Sequence, residues 1–360
     1  MIFSKGIVSE YFEFNPKETL SKNQKYKKIA MENIVPKYKF INKYSFEKYK
    51  GGSKFKNGDT IFARITPCLE NGKIAYVDCL EDDEIAFGST EFIVLRAIES
   101  KMIPEFVYYF AISDYFKNKA ISLMTGTSGR QRVQVDALKQ LNVKIPDIIS
   151  QKKIVKILSI IDKKIKLNNE INNNLYEIIK NNYDTLLENC NWEEVELGSI
   201  SNISSGKRPI DKLEISDYPV IGANGIMAYT SDFNFNEDLI ITGRVGTLGI
   251  IRRYYEKIWA SDNTLVIQTK YLNYIENYLK TIDYYSLNRG STQPLLTQGD
   301  LKNQTIRFNE KEISEFEDKN RVFVDKIRNN EKENKHLSQL RYTLLPKLMN
   351  GEIDLDNIEI

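Results

Sequence analysis

The two halves of the chain contain similar segments in the same order, and this internal repeat constrains the fold more than any other feature of its 360 residues. The segment GTSGRQRVQVDALKQLNVKIPD, which begins at Gly126, resembles GSTQPLLTQGDLKNQTIRFNE, which begins at Gly290, so that Leu138 falls on Leu301. Two copies are too few for a solenoid, which needs about three units to bury a continuous core. The repeat therefore predicts two domains of one kind, related by pseudo-twofold symmetry.

The repeat extends upstream into segments that predict strands. NGDTIFARITPCLENGKIAYV, from Asn57, resembles NEDLIITGRVGTLGIIRR, from Asn236, and places Arg64 opposite Arg244. Alternating and β-branched runs predict short strands in both copies, and Asn71-Gly72 predicts a tight hairpin turn. Each copy is therefore predicted to be an α+β domain with strands first, then a short helical stretch, a Gly-Ser-Thr loop, one more strand and a long helix.

A helical pattern follows each domain. From Ser150 to about Glu188, apolar residues alternate spacings of four and three, as in a coiled-coil seam. The second copy repeats this pattern from Ile313, with Gly351 as a candidate stop. We expect the two helices to pair. The predicted pairing residues are Ile154, Leu158, Ile161, Ile165, Leu175, Ile178 or its neighbour Ile179, Leu186, Ile327, Leu337, Leu340, Leu344 and Leu348.

Four asparagines lie near the predicted seams, Asn168 and Asn172 in the first and Asn330 and Asn334 in the second. A buried asparagine can set the register of a coiled coil at a cost in stability. The alternative is a seam that frays and leaves these side chains in water. The patterns divide the chain into a first domain at 1–149, a central helix at 150–190, a second domain at 191–310 and a distal helix at 311–360.

Composition excludes several classes of function. Lys and Arg number 51 against 49 Asp and Glu, so any basic surface must be local. Three cysteines without a C-x-x-C pair and a single histidine, His336, are too few soft ligands for a zinc site. The sequence has no apolar signal region at its start and no uncharged apolar stretch of about 18 residues. We expect a cytoplasmic protein with reduced thiols, no metal and no membrane contact.

Motifs for chemistry on DNA are absent from the sequence. It has no N-P-P-Y or D-P-P-Y motif for adenine methylation, no G-x-G-x-x-G after a strand and no phosphate-binding loop. A single histidine in a predicted helix leaves Ser-His-Asp and Cys-His schemes without a base. We therefore predict no catalytic residues and no enzyme activity in this chain.

The loops of the repeat have the composition of a DNA-reading surface. Arg, Lys, Asn, Gln, Ser and Thr bind base edges and phosphates, and glycine lets the backbone approach a duplex. The alternatives are plain turns for the Gly-Ser-Thr loops, structural salt bridges for the strand-end arginines and solvated surface for the basic pair after Gly206. The candidates are Arg64, Thr127, Ser128, Arg130, Gln131, Arg132, Lys207, Arg208, Arg244, Ser291, Thr292 and Gln293.

The order of these motifs resembles a known family over nearly the whole chain. NGDTIFARITPCLENGKIAYV, FGSTEFIVLR, GTSGRQRV, IPDIISQKKIVKILSIIDKKI, WEEVELGSISNISSGKRP, GSTQPLLTQGDLK and LLPKLMNGEI resemble segments of the specificity subunit of type I restriction-modification systems. The resemblance implies two target-recognition domains, each reading one half of a split DNA site. It also implies two long helices that pack antiparallel and set the gap between the half-sites.

The resemblance further implies partners. The chain is expected to bind double-stranded DNA and methyltransferase subunits, with nuclease-translocase subunits added in a cutting complex. S-adenosylmethionine, ATP and Mg²⁺ would belong to those partners and no cofactor to this chain. The alternatives are a methylation-only complex and a coiled-coil DNA-binding scaffold without a nuclease partner. The first domain lacks a counterpart of Trp192, which indicates that the two domains read different sequences.

Overall fold

The structure, a computed structural model, describes residues 1–127, 129–188, 191–214 and 216–355. The chain forms two compact units. The first unit comprises residues 1–168 and the segment from Glu333 onward, and the second unit comprises residues 169–332. Each unit combines short sheets and small helices with parts of two long helices, which confirms the predicted α+β class.

The first unit contains two main sheets. One has the order β2-β9-β6-β7, and the other has the order β4-β3-β8-β5, in which β3 and β8 run parallel. Strand β1 pairs with β12, and β10 pairs with β11. The strands are Phe3–Ile7 (β1), Phe12–Phe14 (β2), Lys25–Ile29 (β3), Ser45–Lys48 (β4), Lys54–Phe55 (β5), Thr60–Ala63 (β6), Ile74–Tyr76 (β7), Ala86–Gly88 (β8), Phe92–Ala97 (β9), Met124–Thr125 (β10), Arg132–Val133 (β11) and Asn142–Pro146 (β12). The helices are Pro104–Ile112 (α1), Asp114–Ser122 (α2), Val135–Lys139 (α3) and the long helix Ile148–Glu188 (α4).

The second unit repeats this sheet topology. Its order β14-β20-β17-β18 matches β2-β9-β6-β7, and its order β16-β15-β19 matches β4-β3-β8, with β15 and β19 again parallel. Strand β13 pairs with β21 as β1 pairs with β12. The strands are Glu193–Glu196 (β13), Asn202–Ser205 (β14), Tyr218–Gly222 (β15), Gly225–Thr230 (β16), Leu239–Gly243 (β17), Arg252–Tyr254 (β18), Trp259–Ala260 (β19), Thr264–Gln268 (β20) and Thr305–Phe308 (β21). The helices are Leu197–Ile200 (α5), Leu272–Leu279 (α6), Gln298–Lys302 (α7) and the long helix Glu310–Asn350 (α8).

The two long helices begin at equivalent caps. The Asp147 carboxylate accepts hydrogen bonds from the N–H and Oγ of Ser150 at 3.0 and 2.7 Å, and these bonds lower the pKa of Asp147 to about 2. Asn309 takes the same place before α8 and accepts a bond from the N–H of Glu312 at 3.3 Å. Gly351, with φ of 74°, follows the last residue of α8. The predicted glycine stop is therefore confirmed, since only glycine adopts this conformation without strain.

Opposite halves of the long helices pack together within each unit. In the first unit, Ile161 and Ile165 of α4 share a small core with Leu337 and Leu344 of α8. In the second unit, the later half of α4 meets the earlier half of α8, and their shared core includes Ile179, Tyr183, Ile313 and Phe316. The two helices are therefore antiparallel. Predicted pairing residues that are buried or half-buried in these cores are Ile154, Leu158, Ile161, Ile165, Leu175, Leu186, Ile327, Leu337, Leu344 and Leu348.

Two predicted pairing positions are corrected by one residue each. Ile178 is 41% exposed, and Ile179 is buried in its place, because the alternating spacing that runs through Leu175 puts the next inward residue four positions later. Leu340 is 46% exposed, and the inward residue is Arg341. The apolar periodicity does not identify that position, because its residue is charged.

The asparagines near the seams form hydrogen bonds across the helix pair. In the first unit, Nδ2 of Asn168 donates to Oδ1 of Asn334 at 3.0 Å. In the second unit, Nδ2 of Asn330 donates to Oδ1 of Asn172 at 2.7 Å. Asn168, Asn172 and Asn330 are buried, so the seam does not fray there. Each bond is satisfied in one helix register only, and this is the register-setting use of a buried asparagine.

A buried ionic network joins α8 to α4, to α1 and to the loop that precedes β4 in the first unit. Arg341, 1% exposed, pairs through Nη1 with the Asp162 carboxylate, and its Nη2 donates to the Lys37 carbonyl at 2.7 Å. The Tyr109 hydroxyl donates to Asp162 at 2.7 Å, and Lys39 Nζ donates to that hydroxyl at 3.3 Å. Burial raises the pKa of Tyr109, which keeps its hydroxyl protonated as a donor.

The substitution Arg341→Met is predicted to lower the free energy of unfolding by about 3–5 kcal/mol, because it leaves the buried Asp162 carboxylate without its cation. Replacing both partners, by Arg341→Met with Asp162→Leu, is expected to recover most of that loss. The matched control is Arg321→Met, since Arg321 pairs with Asp318 in an exposed position and should change stability by less than about 1 kcal/mol. Denaturant unfolding of the full chain measures all three. Equal losses in Arg341→Met and Arg321→Met would contradict the network.

The cap of α4 predicts a pH-dependent contribution to stability. The carboxyl pKa of Asp147 is lower in the folded chain, so its stabilisation is complete above the unfolded pKa of about 3.9 and is lost as the pH falls towards 2. Asp147→Ala should cost about 1 kcal/mol at neutral pH. Asp147→Asn keeps a hydrogen-bond acceptor but has no titrating group. The stability of this variant relative to the parent should therefore rise as the pH falls from 5 to 3. A constant difference between these proteins over that range would refute the assignment.

Candidate nucleic-acid interface

In the first unit, the loop between β10 and β11 lies beside the end of β6. The N–H of Arg64 donates to the carbonyl of Glu91 at 2.9 Å, and the carbonyl of Arg64 accepts the N–H of Val133 at 2.9 Å. The structure thus brings together residues far apart in the sequence. We call this group the first loop cluster, and its described members are Arg64, Glu91, Thr127 and Arg130–Arg132.

The second unit builds the same arrangement at the end of β17. The N–H of Arg244 donates to the carbonyl of Asn263 at 2.8 Å, and the carbonyl of Arg244 accepts the N–H of Leu296 at 2.9 Å. The backbone of Arg244 is therefore bonded like that of Arg64, as the sequence repeat predicts. We call this group the second loop cluster, and its members are Gly206–Arg208, Arg244, Asp262–Asn263 and Arg289–Gln293.

Ion pairing separates the cations of the first loop cluster into two kinds. Arg132 Nη2 lies 2.6 Å from Oε1 of Glu91, and Arg64 Nε lies 3.9 Å from Oε2 of the same carboxylate. The hydrogen bond from Arg132 lowers the pKa of Glu91. Arg130 is exposed and forms no ion pair with the described residues. Arg132 therefore holds the loop in place, whereas Arg130 is free to meet an anion.

The polar residues of the two loops differ in their exposure to solvent. Thr127 is exposed, and Gln131 is half-buried. Ser128, which the sequence also predicts as a DNA-contact candidate, lies outside the described residues. In the second loop cluster, Ser291, Thr292 and Gln293 are all exposed.

The turn of the second loop cluster depends on Asn288 and Gly290. Oδ1 of Asn288 accepts the N–H groups of Gly290 and Leu295, both at 2.9 Å. A Cβ on Gly290 would lie 1.8 Å from the carbonyl oxygen of Gln293, so this position requires glycine. Arg289 is anchored by Asp300, with 2.5 Å between Nη2 and Oδ1. The anchored backbone presents the three exposed side chains at the tip.

The basic loop after β14 joins the second loop cluster through its backbone. The N–H of Lys207 donates to the carbonyl of Ala260 at 2.9 Å, and a Cβ on Gly206 would lie 2.2 Å from the carbonyl oxygen of Ser261. Lys207 and Arg208 are exposed and form no ion pair with the described part of the chain. Arg244 donates through Nη1 to the carbonyl of Asp262 at 3.2 Å and likewise pairs with no described carboxylate.

The sequence prediction missed the hairpin formed by β15 and β16. Its two-residue turn is Ala223-Asn224, and Asn224 is exposed. A Cβ on Gly243, the residue before Arg244, would lie 3.0 Å from the Cβ of Ala223, so the turn packs against the second loop cluster. Asn224-Gly225 between two β-rich runs is a strong hairpin signal, and it could have located this turn from the sequence to within one residue.

Other kinds of site find no support in the described part of the chain. No group of three or more His, Cys, Asp or Glu side chains there could hold a metal ion. Within the same residues, no helix is both long and apolar enough to cross a membrane.

Comparison with known proteins shows which family the chain matches. Residues 8–177 and 189–342 each match the family described as the type I restriction modification DNA specificity domain. The chain belongs to this family. The two matched ranges contain the first and second loop clusters respectively, so the family accounts for both copies of the repeat.

Several specificity subunits of type I restriction enzymes are similar to this chain in sequence. The chain is 30% identical to the type I restriction enzyme HindI specificity subunit of Haemophilus influenzae over 45% of this chain and 37% of that protein. It is 28% identical to the EcoEI specificity subunit of Escherichia coli over 41% of this chain and 26% of that one. Both alignments thus span well under half of the relative. The MjaIX specificity subunit of Methanocaldococcus jannaschii is 24% identical over 71% of each chain.

A solved structure shares the fold. The S subunit of a type I restriction-modification system from M. genitalium superposes with a TM-score of 0.55, covering 97% of this chain and 96% of that chain. Sequence identity between the two is 18%, so this likeness concerns the fold.

The paired and unpaired arginines of the first loop cluster predict different effects on stability. Glu91→Gln should lower the free energy of unfolding by about 1 kcal/mol at neutral pH, because Arg132 and Arg64 lose their shared anion. Arg130→Gln should change it by less than about 0.5 kcal/mol, since Arg130 has no ion pair to lose. Denaturant unfolding of both variants tests the distinction. A larger loss in Arg130→Gln than in Glu91→Gln would reverse it.

Proposed function

We propose that the chain is the DNA sequence-specificity subunit of a type I restriction-modification complex. Each unit carries one reading surface, and each surface reads one half of a split site. The observation that carries the proposal is the recurrence of a strand-end arginine beside a glycine-containing polar loop, in both units of a chain from the type I specificity family.

The chemistry of the loop clusters suits duplex DNA. Exposed cations without carboxylate partners can neutralise phosphates and release counterions, which supplies affinity independent of sequence. Arg, Gln, Ser and Thr side chains can also reach base edges, where bidentate contacts discriminate between bases. The first loop cluster presents Arg130 and Gln131, whereas the second presents Ser291, Thr292 and Gln293. Loops of such different composition favour two unlike half-sites.

The long helices serve as spacer and as partner surface. Helices α4 and α8 have 41 residues each, which corresponds to about 60 Å at the rise of an α-helix. The buried asparagine pairs prevent one helix from sliding along the other, so the number of base pairs between the half-sites is constant. The methyltransferase subunits bind this helical region, and nuclease-translocase subunits join the cutting form of the complex.

The partner subunits perform the chemistry. They bind S-adenosylmethionine, ATP and Mg²⁺, and the target adenine must leave the base stack to reach a methyltransferase site. This chain selects the sequence and contributes no catalytic group. It acts where chromosomal and incoming DNA are found, in the cytoplasm. A methylation-only complex shares every feature of the chain itself and differs only in lacking the nuclease subunits.

The proposal is tested by assembling the full chain with methyltransferase subunits and mapping the adenines that the complex methylates. A split motif with methylated adenines on both strands, absent when the chain is omitted, is the expected result. DNA binding that weakens with salt but prefers no sequence would instead favour a coiled-coil scaffold without specificity.

Substitution of the unpaired arginines predicts a change in salt dependence. Arg130→Gln and Arg244→Gln should each weaken binding to all duplexes and reduce the slope of log affinity against log salt by about 0.9 for each phosphate that the variant no longer neutralises. Arg321→Gln is the matched control, since Arg321 lies on α8 and is paired with Asp318. Unchanged slopes in the two loop variants would remove phosphate binding from the roles of these arginines.

A further inference from the structure

The hairpin of β15 and β16 is anchored beside the second loop cluster. Gly222 pairs directly with Gly225 across the two-residue turn, and Gly225 has a φ of 112°. The N–H of Ser261 donates to the carbonyl of Ile221 at 3.0 Å, which links β15 to the segment beside Arg244. The tip of the hairpin is therefore part of the same surface as the exposed cations.

Arg252 lies across the base of this turn. A Cβ on Gly225 would come within 2.1 Å of Arg252 Nη1, so glycine leaves the space that the guanidinium occupies. Arg252 is exposed, shares a side-chain hydrogen bond with Tyr254 and forms no ion pair with the described residues. A guanidinium without an ion pair to the described residues thus lies against Gly225, the residue that follows the exposed Asn224.

Strand β16 of the hairpin carries apolar side chains that are exposed to solvent. Ile226 is 59% exposed and Met227 is 48% exposed on β16, the edge strand of its sheet. An edge strand normally avoids such residues because they invite association. Their presence beside an amide and a cation indicates an occupant with both apolar and hydrogen-bonding groups.

We propose that this hairpin enters the major groove of duplex DNA and that Asn224 and Arg252 determine base preference in the half-site read by the second unit. The major groove admits a two-stranded β-ribbon, an asparagine amide pairs with both edge groups of adenine, and a guanidinium pairs with guanine. Ile226 and Met227 contact thymine methyl groups, which are exposed only in that groove. The unpaired charge on Arg252, Arg244 and Lys207 favours a polyanion over a protein partner. This inference rests on the proposed function.

The test uses the full chain assembled with methyltransferase subunits and a pool of duplexes with randomised half-sites, sequenced after binding. Asn224→Asp, which replaces the amide donor by an acceptor, should reduce the preference at one base pair by about 5- to 150-fold, the range set by one bidentate contact. Arg252→Gln should relax a neighbouring position in the same half-site. The half-site read by the first unit should remain unchanged in both variants.

The matched control is Asn303→Asp, the same change at an exposed asparagine between α7 and β21. It should leave both half-sites as in the parent, and thermal unfolding verifies that all variants fold. If the parent selects a split motif and both hairpin variants keep it, the inference is overturned while the proposed function stands. If the parent selects no motif, the proposed function fails and the inference with it. Loss of methyltransferase binding without a change in base preference would assign the hairpin to a protein interface and also overturn the inference.

Discussion

The antiparallel pairing of α4 and α8 is the contact on which both units depend. The first unit consists of two separate segments of the chain, whereas the second is one continuous segment, and each unit takes its helical layer from one half of α4 and the opposite half of α8. Apolar contacts supply most of the stability of such a seam but tolerate sliding by one heptad. The hydrogen bonds between Asn168 and Asn334 and between Asn330 and Asn172 remove that freedom, because a shifted helix would bury unpaired amides.

The Arg341–Asp162 pair adds a second constraint in the first unit. Both side chains are almost completely buried, and the network continues through Tyr109 and Lys39 into the α+β part of the unit. Apolar packing alone would hold these elements together with less preference for one geometry. A buried ion pair fits only one arrangement, because displacing either partner leaves an uncompensated charge. The network thereby orients the α+β part of the first unit on its own helical layer.

The loop clusters show how one scaffold supports two different surfaces. The backbone bonds of Arg64 and Arg244 are equivalent, and the sheets behind them have the same strand order. The side chains at the tips are not equivalent, since one loop carries Arg130 and Gln131 and the other carries Ser291, Thr292 and Gln293. Keeping the same backbone hydrogen bonds while the side chains of the loop differ lets the surface vary between the two units without loss of the fold. Anchoring residues such as Arg132 and Arg289 pair with Glu91 and Asp300 and stay out of this variation.

The repeat, the α+β class, the two long helices and the glycine stop at Gly351 could be predicted from the sequence, because each depends on residues close together in the chain or on a repeated order. The inward position of Arg341 could not, since only its contact with Asp162, 179 residues away, makes a buried arginine favourable. The different roles of Arg130 and Arg132 could not be predicted either, because they depend on Glu91, which lies in the turn before β9. Sequence by itself determined which elements form and which loops carry polar and basic residues. The tertiary structure decided which of those side chains form ion pairs within the chain and which remain available, because ion pairs and close backbone approaches join residues that only folding brings together.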